Sequence, residues 1–345
     1  MGRSVPMTFF YEATLDPQGL VDALQGTLAL FPVLSGRYAS RPPSAVALNN
    51  AGVAVQIYAA PAGATVAEAT AHLSAADATP SIFARSTHEP YSPHKAPFGV
   101  PMDPDSGDPE APLLSIKITT FPSGGTAIGI LAQHGVVDGD AEIAFMRCWS
   151  QLFRGLEEPT TPPRHDRCAA LEALEVGEEG VPDDDAERPA GMKTQLLQPG
   201  EKPQPPAFMS LLPTIGGSDV CVVPFSKAAL AEMKQAASVG LPAGAFVSTD
   251  DVLLAHVWRA QVRVRCAQLG LPEDGDATST VLRAWNFRSR TAPPLGGGYC
   301  ANGVDQAATE MPVRDVLSLS VSEVAQRLRA TLLALSSASV AARFR

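Results

Sequence analysis

Cysteine and long apolar runs are scarce in this chain. Its 345 residues include five cysteines, which are widely spaced and form no CxxC pair. An odd and dispersed set of this kind argues against a disulfide framework and against a zinc site, and it predicts free thiols in a reducing compartment. No stretch approaches the length of a membrane span, and the N-terminus carries no apolar signal core. These absences predict a protein that does not bind a membrane and that has a cytoplasmic location.

Positive charge is also limited. Lys and Arg together number 26 against 36 Asp and Glu, which gives a formal net charge of -10. No run of basic residues is present to form a groove for nucleic acid, so no nucleic-acid partner is expected. An acidic chain can still bind an anion through a local basic pocket, so phosphate-bearing ligands remain open. Hydrophobic residues make up 45% of the chain, which is enough for a sizeable core, and the length favours two halves.

The chain changes character in its middle. Residues 157–212 are acidic and rich in proline, so they cannot bury much apolar surface and are predicted to be a crossover linker. Residues 1–156 then form an N-terminal half, and residues 213–345 form a C-terminal half. Because predicted strands and helices alternate on both sides, the fold class is α/β.

The most informative segment follows a predicted buried strand. Residues 126–133 are apolar and unbroken, and a turn with two glycines joins them to the preceding strand as a hairpin. The segment Gln133-His134-Gly135-Val136-Val137-Asp138-Gly139 comes next, and a helix is predicted from about residue 140 to 154. His134 therefore stands where a rigid element ends, a place at which catalytic groups are held firmly yet stay accessible. The alternative is a buried histidine whose ring is satisfied by hydrogen bonds.

Other helices are predicted from their caps and periodicity. Asp16 and Pro17 should begin the first helix, Ser226 should cap another, and Ser248 or Thr249 should cap a longer one. A short helix is predicted over residues 66–73, an irregular loop over residues 81–112 and a last helix over residues 321–335. The three tryptophans are expected in the core. The inward candidates of the longer helix are Val252, Leu253, His256 and Val257.

Five stretches of the chain together match the motif order of a known family. They are Phe31–Tyr38, Ile118–Gly125, His134–Gly139, Asp250–Arg259 and Asn286–Asn302. In order, they are similar to the FYPLAGRL, VTxFxCGG, HxxxDG and LxAHVWR elements and to the DxRxR and GYFGN elements of the BAHD acyltransferases. The chain thus resembles this family over most of its length. The resemblance implies two chloramphenicol-acetyltransferase-like halves, each a mixed sheet with helices, joined by a long crossover.

The resemblance also implies a reaction. A BAHD enzyme moves an acyl group from an acyl-CoA thioester to the hydroxyl or amine of a small-molecule acceptor. His134 would be the general base, because a histidine side chain titrates near neutral pH and can take a proton from the attacking group. Acyl-CoA would be a co-substrate, with no permanently bound cofactor and no metal. A monomer is expected, with acyl-CoA and the acceptor as its partners.

The resemblance assigns roles to five further residues. The family aspartate that matches Asp138 points away from the site and pairs with an arginine, which here implies Arg288. A relay between His134 and Asp138 is the alternative. Gly139 is expected to allow a backbone conformation or a close approach that a side chain would block. Ser248, Thr249 and Arg288 are weak candidates for lining a coenzyme tunnel between the halves, and simple helix capping is the alternative for Ser248 and Thr249.

The chain departs from the family at its end. The C-terminal DFGWG element is absent, because the sequence stops at Arg345, so the C-terminal half is expected to be truncated. Two other functions therefore stay open. One is a condensation-type domain that uses a carrier-protein thioester, although such domains usually carry two adjacent histidines where this chain has Gln133 and His134. The other is a non-catalytic homologue that keeps the fold and binds a ligand or a partner.

Overall fold

The computed structural model describes residues 5–39, 46–67, 81–83, 110–157, 161–174, 220–223, 225–296 and 298–344. These residues belong to two compact units. The first unit comprises the described residues of Met1–Asp77, Ile82–Ala170 and Leu295–Gly303, and the second comprises those of Ala78–Ser81, Leu171–Pro294 and Val304–Arg345. Both units contain helices and strands, as an α/β chain requires.

The described residues include both strands and helices. The strands are β1 (Val5–Tyr11), β2 (Arg37–Tyr38), β3 (Val46–Ala47), β4 (Ala54–Ala59), β5 (Ser81–Phe83), β6 (Leu114–Thr120), β7 (Thr126–Ala132), β8 (Val220–Val222), β9 (Thr278–Asn286) and β10 (Val304–Pro312). The α-helices are α1 (Pro17–Leu30), α2 (Gly139–Phe153), α3 (Arg167–Glu172), α4 (Lys227–Ser238), α5 (Thr249–Leu269), α6 (Val313–Ser318), α7 (Val321–Ala334) and α8 (Ser337–Phe344).

Several predicted segments fall outside the described residues. Most of the predicted helix over residues 66–73 and most of the predicted loop over residues 81–112 lie there. So do residues 175–219, which form the larger part of the predicted linker. The boundary at residue 213 therefore stays a prediction.

The first unit is built on a four-stranded sheet in the order β1-β7-β6-β4. Strand β7 runs antiparallel to both β1 and β6, while β4 runs parallel to β6. Every residue of β7 is buried, which matches its unbroken apolar sequence. Helices α1 and α2 pack on each other, and the Trp149 indole nitrogen of α2 donates to the Leu20 carbonyl of α1 at 2.8 Å. This packing fixes α2, whose N-terminus follows the His134 turn.

Local features mark the start of α1, as predicted, and the end of α2. The Asp16 carboxylate accepts hydrogen bonds from the amides of Gln18 and Gly19, which satisfies two N–H groups of the first turn of α1. Helix α2 is followed by Gly155, whose φ of 67° lies in the left-handed region that favours glycine. Helix ends of this kind can be read from the sequence, because each one depends only on residues that are neighbours in the chain.

The second unit packs the long helix α5 against α4, α6 and α7, beside the antiparallel strand pair β9–β10. The inward face of α5 differs from the predicted one. His256 and Val257 are exposed, so the prediction that they face inward is wrong, whereas Val252 is buried as predicted. The buried positions of α5 are spaced three or four residues apart and follow one stripe: Asp251, Val252, Ala255, Trp258, Val262 and Cys266.

A buried carboxylate joins three elements of the second unit. Asp251 is fully buried, and its oxygens accept from Arg283 of β9 at 2.7 Å and from Arg329 of α7. Its Oδ2 also accepts from the amide of Ser248 at 2.7 Å, within a capping box at the start of α5. Burial alone would raise the pKa of Asp251, but these hydrogen bonds outweigh it and hold the pKa below its ordinary value.

Replacing Asp251 should therefore destabilise the protein strongly. Asp251→Asn leaves two partly buried arginines without their carboxylate, so we expect a loss of about 3 kcal/mol in the free energy of unfolding. Urea unfolding at pH 7 measures it. Asp250→Asn is the matched control, because Asp250 also bonds Arg283, at 2.9 Å, but its side chain is 71% exposed. A similar loss of unfolding free energy in both variants would contradict the conclusion that the buried Asp251 is the carboxylate that stabilises this unit.

Candidate active site

The His134 turn is held by backbone hydrogen bonds. The Gln133 amide donates to the Leu113 carbonyl at 2.9 Å, which extends the β6–β7 ladder beyond its last strand residue. The amides of Val136 and Val137 both donate back to the Gln133 carbonyl, at 2.9 and 3.2 Å. His134 is half-buried and lies between the buried Gln133 and the exposed Gly135. The imidazole is thus attached to a rigid turn, as the sequence analysis predicted for a catalytic group.

Asn302 makes the polar contacts of His134. Its amide nitrogen, Nδ2, donates to the His134 carbonyl oxygen at 2.7 Å and lies 3.4 Å from the ring nitrogen Nδ1. The first distance is that of a strong hydrogen bond and sets the orientation of the amide. The second distance is longer than an ordinary hydrogen bond. The contact therefore limits where the imidazole ring can lie, but it does not fix which ring nitrogen carries the proton. Asn302 belongs to a motif that the sequence analysis noted without assigning it a role.

Asp138 is engaged by two backbone amides. It caps α2, with Oδ1 accepting from Ala141 at 3.0 Å, and its Oδ2 accepts from Gly303 at 2.7 Å. The side chain is 1% exposed. No hydrogen bond joins Asp138 to the His134 ring within the described part of the chain, so this geometry favours a structural role over a relay. The pair of Asp138 with Arg288 stays a prediction, because the two residues belong to different units.

The segment Leu295–Gly303 supplies both Asn302 and Gly303. The sequence analysis placed it in the C-terminal half, but it packs within the first unit. Its backbone bonds to Arg164: the Arg164 amide donates to the Gly298 carbonyl at 2.6 Å, and the Cys300 amide donates to the Arg164 carbonyl at 2.8 Å. The Arg164 guanidinium also donates to the Leu295 carbonyl. These bonds fix the segment close to the His134 turn.

The remaining predicted site residues fall in two places. Gly139 begins α2, where a Cβ would lie 3.5 Å from Met7 Cε, an ordinary contact distance, so the described neighbours do not require glycine there. Ser248 and Thr249 lie in the second unit. The Ser248 hydroxyl is the N-cap of α5, and Thr249 is the first helical residue. Capping accounts for Ser248, and a coenzyme role for either residue stays a prediction.

A buried glutamate beside the site has no counterpart in the sequence analysis. Glu142 of α2 is 2% exposed, and neither carboxylate oxygen has a hydrogen-bond partner among the described residues. Burial raises its pKa to about 8, and the charge of Asp138 adds to this, while the nearby backbone amide of Ala132 acts in the opposite sense. An acidic residue in a first helical turn normally suggests an exposed side chain that complements the helix dipole. Its burial depends on tertiary packing.

The described residues contain neither a candidate metal site nor a helix that could cross a membrane. Among them, no group of three or more His, Cys, Asp or Glu side chains is arranged to hold a metal ion. Within the same residues, none of the helices combines the length and the apolar character that crossing a bilayer demands.

Comparison with known proteins identifies the family. A model of the transferase family matches residues 5–339. The chain is 29% identical over 276 residues to agmatine coumaroyltransferase-1 of Hordeum vulgare, covering 77% of this chain and 55% of that protein. It is 28% identical over 330 residues to tryptamine hydroxycinnamoyltransferase 2 of Oryza sativa subsp. japonica, covering 94% and 65%. A third relative is hydroxycinnamoyl-CoA:5-hydroxyanthranilate N-hydroxycinnamoyltransferase of Avena sativa, 30% identical over 205 residues, covering 59% and 42%.

Solved structures show the same fold. The F. sporotrichioides TRI101 structure, complexed with coenzyme A and T-2, has a TM-score of 0.67 at 19% identity, covering 99% of this chain and 72% of that chain. Vinorine synthase has a TM-score of 0.63 at 21% identity, covering 96% and 68%. The predicted α/β class and chloramphenicol-acetyltransferase-like fold are confirmed. The chain belongs to the transferase family of BAHD acyltransferases, and it spans 42% to 65% of the length of the three relatives described above.

The buried Glu142 predicts a pH-dependent stability. Its pKa is about 8 in the folded protein against an ordinary value of 4.5, so the folded state binds more protons between these values. The free energy of unfolding should therefore decrease as pH rises from about 4.5 to about 8. Because glutamine resembles the protonated carboxyl, Glu142→Gln should be more stable than the wild type at pH 8, by about 1–3 kcal/mol.

Urea unfolding at several pH values between 5 and 8 tests this expectation. The exposed Asp140 lies in the same helical turn, so Asp140→Asn is a control that should keep the wild-type pH dependence. A Glu142→Gln variant that is less stable than the wild type at pH 8 would show that the carboxylate is charged and compensated in the fold.

Proposed function

We propose that this chain transfers an acyl group from an acyl-CoA thioester to the hydroxyl or amine of a small-molecule acceptor, with His134 as the general base. The observation that carries the proposal is the arrangement around His134. A half-buried imidazole follows a buried strand, its carbonyl is held by Asn302, and the adjacent Asp138 is occupied by two backbone amides. This arrangement leaves the ring, and not the carboxylate, as the group able to exchange protons with a substrate.

The proposed reaction needs one proton carrier. His134 takes the proton of the acceptor while the acceptor oxygen or nitrogen attacks the thioester carbonyl carbon. The carbon–sulfur bond then breaks, and the proton passes from the imidazolium to the leaving thiolate. A general base contributes about 10²–10⁴-fold, and holding both substrates together supplies further acceleration. The scheme requires no covalent acyl-enzyme.

The relatives support the donor and the acceptor class. One relative has hydroxycinnamoyl-CoA in its name, and the TRI101 structure contains coenzyme A. Agmatine and tryptamine, which appear in two other names, both carry an amine. Because this chain spans only part of these proteins, the donor, the acceptor and the activity itself belong to the proposal.

The proposal includes a monomer in a reducing, cytoplasmic compartment. Among the described residues, Cys148, Cys266 and Cys300 are buried and form no disulfide, which supports such a compartment. Gln133 bears on the carrier-protein alternative. Its side chain is buried and accepts from the Gly135 amide at 3.3 Å, so this position serves the turn. No described contact favours a carrier-protein donor or a non-catalytic role.

Substitution of His134 tests the proposal directly. His134→Ala should fold normally and lose at least about 100-fold in turnover, because the base is removed while the backbone bonds of the turn remain. A thiol-release assay with several acyl-CoAs and a panel of amines and alcohols measures turnover, and thermal unfolding measures the fold. His256→Ala is the matched control, since His256 is exposed on α5.

The same assay separates the alternatives. Full activity of His134→Ala would refute the assignment of the base. Activity of the wild type with a carrier-protein thioester alone would favour the condensation-type reading. A wild type that binds neither coenzyme A nor acyl-CoA in a thermal-shift experiment and shows no turnover would favour the non-catalytic homologue.

Asp138 should behave as a structural residue. Asp138→Asn keeps only one acceptor oxygen for the two amides of Ala141 and Gly303, so we expect a loss of about 1–3 kcal/mol in the free energy of unfolding. The folded fraction should retain measurable turnover. A variant with wild-type stability and no turnover would instead indicate a relay between Asp138 and His134.

A further inference from the structure

Residues 161–166, here called the anchor segment, connect parts of the first unit that are far apart in sequence. On one side, Arg164 binds the segment Leu295–Gly303 through its amide, its carbonyl and its guanidinium. On the other side, His165 contacts the end of α1 and the residue that follows it. Because both contacts lie within one unit, the anchor segment holds Leu295–Gly303 against the part of the core that contains α1.

The anchor segment lies very close to Leu295–Gly303. A Cβ placed on Gly298 would lie 3.0 Å from the Pro162 carbonyl oxygen and 3.0 Å from Thr161 Cγ2, which is tighter than most real contacts of this kind. Arg164 and Tyr299 also form a parallel β-bridge, which fixes the register of the two segments. The close approach of the two backbones therefore depends on the missing side chain at Gly298.

The imidazole of His165 attaches the anchor segment to the core. Its Nε2 lies 3.3 Å from the Leu30 carbonyl oxygen at the end of α1, and its ring meets the Phe31 ring edge to face, with 5.2 Å between the centroids. Phe31 is 1% exposed and packs in turn on Phe145 of α2. The histidine ring thus joins the anchor segment to both helices of the first unit's core.

The second ring nitrogen of His165 has no partner. Nδ1 is buried and forms no hydrogen bond with any described residue. Since a carbonyl oxygen can only accept, the contact with Leu30 assigns the proton of the neutral ring to Nε2 and leaves a lone pair on Nδ1. A second proton would place a charged N–H group at Nδ1 without an acceptor, which is costly in a buried position.

The charged groups around His165 do not compensate a second proton on its ring. Arg164 and Arg167, on either side of it in sequence, are themselves positive. The Asp166 carboxylate is exposed and accepts from a backbone amide in the first turn of α3 at 2.9 Å. The last turn of α1 and the segment Leu295–Gly303, which the anchor segment contacts, contain no Asp, Glu, Lys or Arg.

The contact of His165 with the core should therefore weaken in acid. Burial lowers the pKa of His165 from its ordinary value of 6.5, while the bond with the Leu30 carbonyl acts in the opposite sense. The ring thus binds fewer protons in the closed form than in a form in which it reaches water. As pH falls through about 6.5, the open form takes up a proton and becomes more favourable relative to the closed form.

We propose that His165 is a pH-sensitive anchor for the segment Leu295–Gly303. Protonation of its ring loosens the anchor segment from α1, and Leu295–Gly303 loses the partner that fixes it. The last two residues of that segment then release the His134 turn and the Asp138 carboxylate. Acid therefore loosens the candidate site from outside, while the sheet beneath it stays folded. This inference goes beyond the proposed acyl transfer and does not depend on it.

Hydrogen exchange of two amides measures the opening. The Cys300 amide donates to the Arg164 carbonyl, and the Gly303 amide donates to Asp138. Their protection factors, corrected for the intrinsic pH dependence of exchange, should fall about 10-fold between pH 7.5 and pH 5.5 in the wild type. Amides in the middle of β7 exchange only when the sheet opens, so they are the internal control and should show no parallel fall.

Two variants of His165 remove the titrating group. His165→Gln keeps a donor for the Leu30 carbonyl and has no charge to gain, so its protection factors should change by about twofold at most over the same pH range. His165→Phe keeps an uncharged ring against Phe31 and should lose the pH dependence in the same way. His256→Ala is the matched control, because His256 is exposed on α5, and it should show the wild-type fall.

Three results would overturn the inference. They are a wild-type protection factor of Cys300 that is constant from pH 7.5 to pH 5.5, an equal fall in both His165 variants, and an equal fall in the amides of β7. Glu142 titrates in all of these proteins, so the differences between them report His165. Gly298→Ala should separate the two backbones directly and lower Cys300 protection at both pH values. Unchanged protection in that variant would show that the anchor segment does not hold Leu295–Gly303.

Discussion

The carboxylate of Asp138 is the constraint on which the candidate site depends. A buried carboxylate is costly unless hydrogen bonds compensate it, and here one oxygen binds the first turn of α2 while the other binds Gly303. The same side chain thus ends the His134 turn, begins a helix and anchors a segment from far along the chain. Asn302, the residue before Gly303, is thereby placed on the carbonyl of His134. Asp138 therefore contributes, together with the backbone bonds of the turn, to the position of His134.

Two carboxyl groups four residues apart show how the environment decides the charge. Asp138 has two backbone donors, whereas Glu142 has no partner among the described residues. Burial and the charge of Asp138 raise the pKa of Glu142 to about 8, so Glu142 is largely neutral at physiological pH. The first turn of α2 therefore carries one compensated charge and one neutral carboxyl group.

Local signals made a large part of the fold predictable. The Asp16 cap, the apolar strand into His134 and the extent of α2 were predicted because each depends on neighbouring residues. Helix α5 was placed correctly, but its buried stripe was misjudged at His256 and Val257. The apolar content of a helix indicates that the helix packs in a core. The face that it buries depends on its partners, such as α7 and the arginine that pairs with Asp251, and these partners lie far away in sequence.

The candidate site was predictable where a motif carried it and was missed where tertiary contacts did. His134 and Asp138 stood out through their spacing. The contacts of Asn302 and Gly303 and the burial of Glu142 each bring distant or unexpected groups to the turn. No local pattern indicates these contacts, because they are made only after the chain has folded.

The segment Leu295–Gly303 means that the first unit is not contiguous in the gene. It is encoded between two strands of the second unit, β9 and β10. Recombination between two related genes at residues 157–212 would combine the His134 turn of one parent with the Asn302 and Gly303 of the other. A chimera of that kind would assemble the His134 turn and the residues that contact it from different parents, so parents that differ at this segment are poor partners for joining halves.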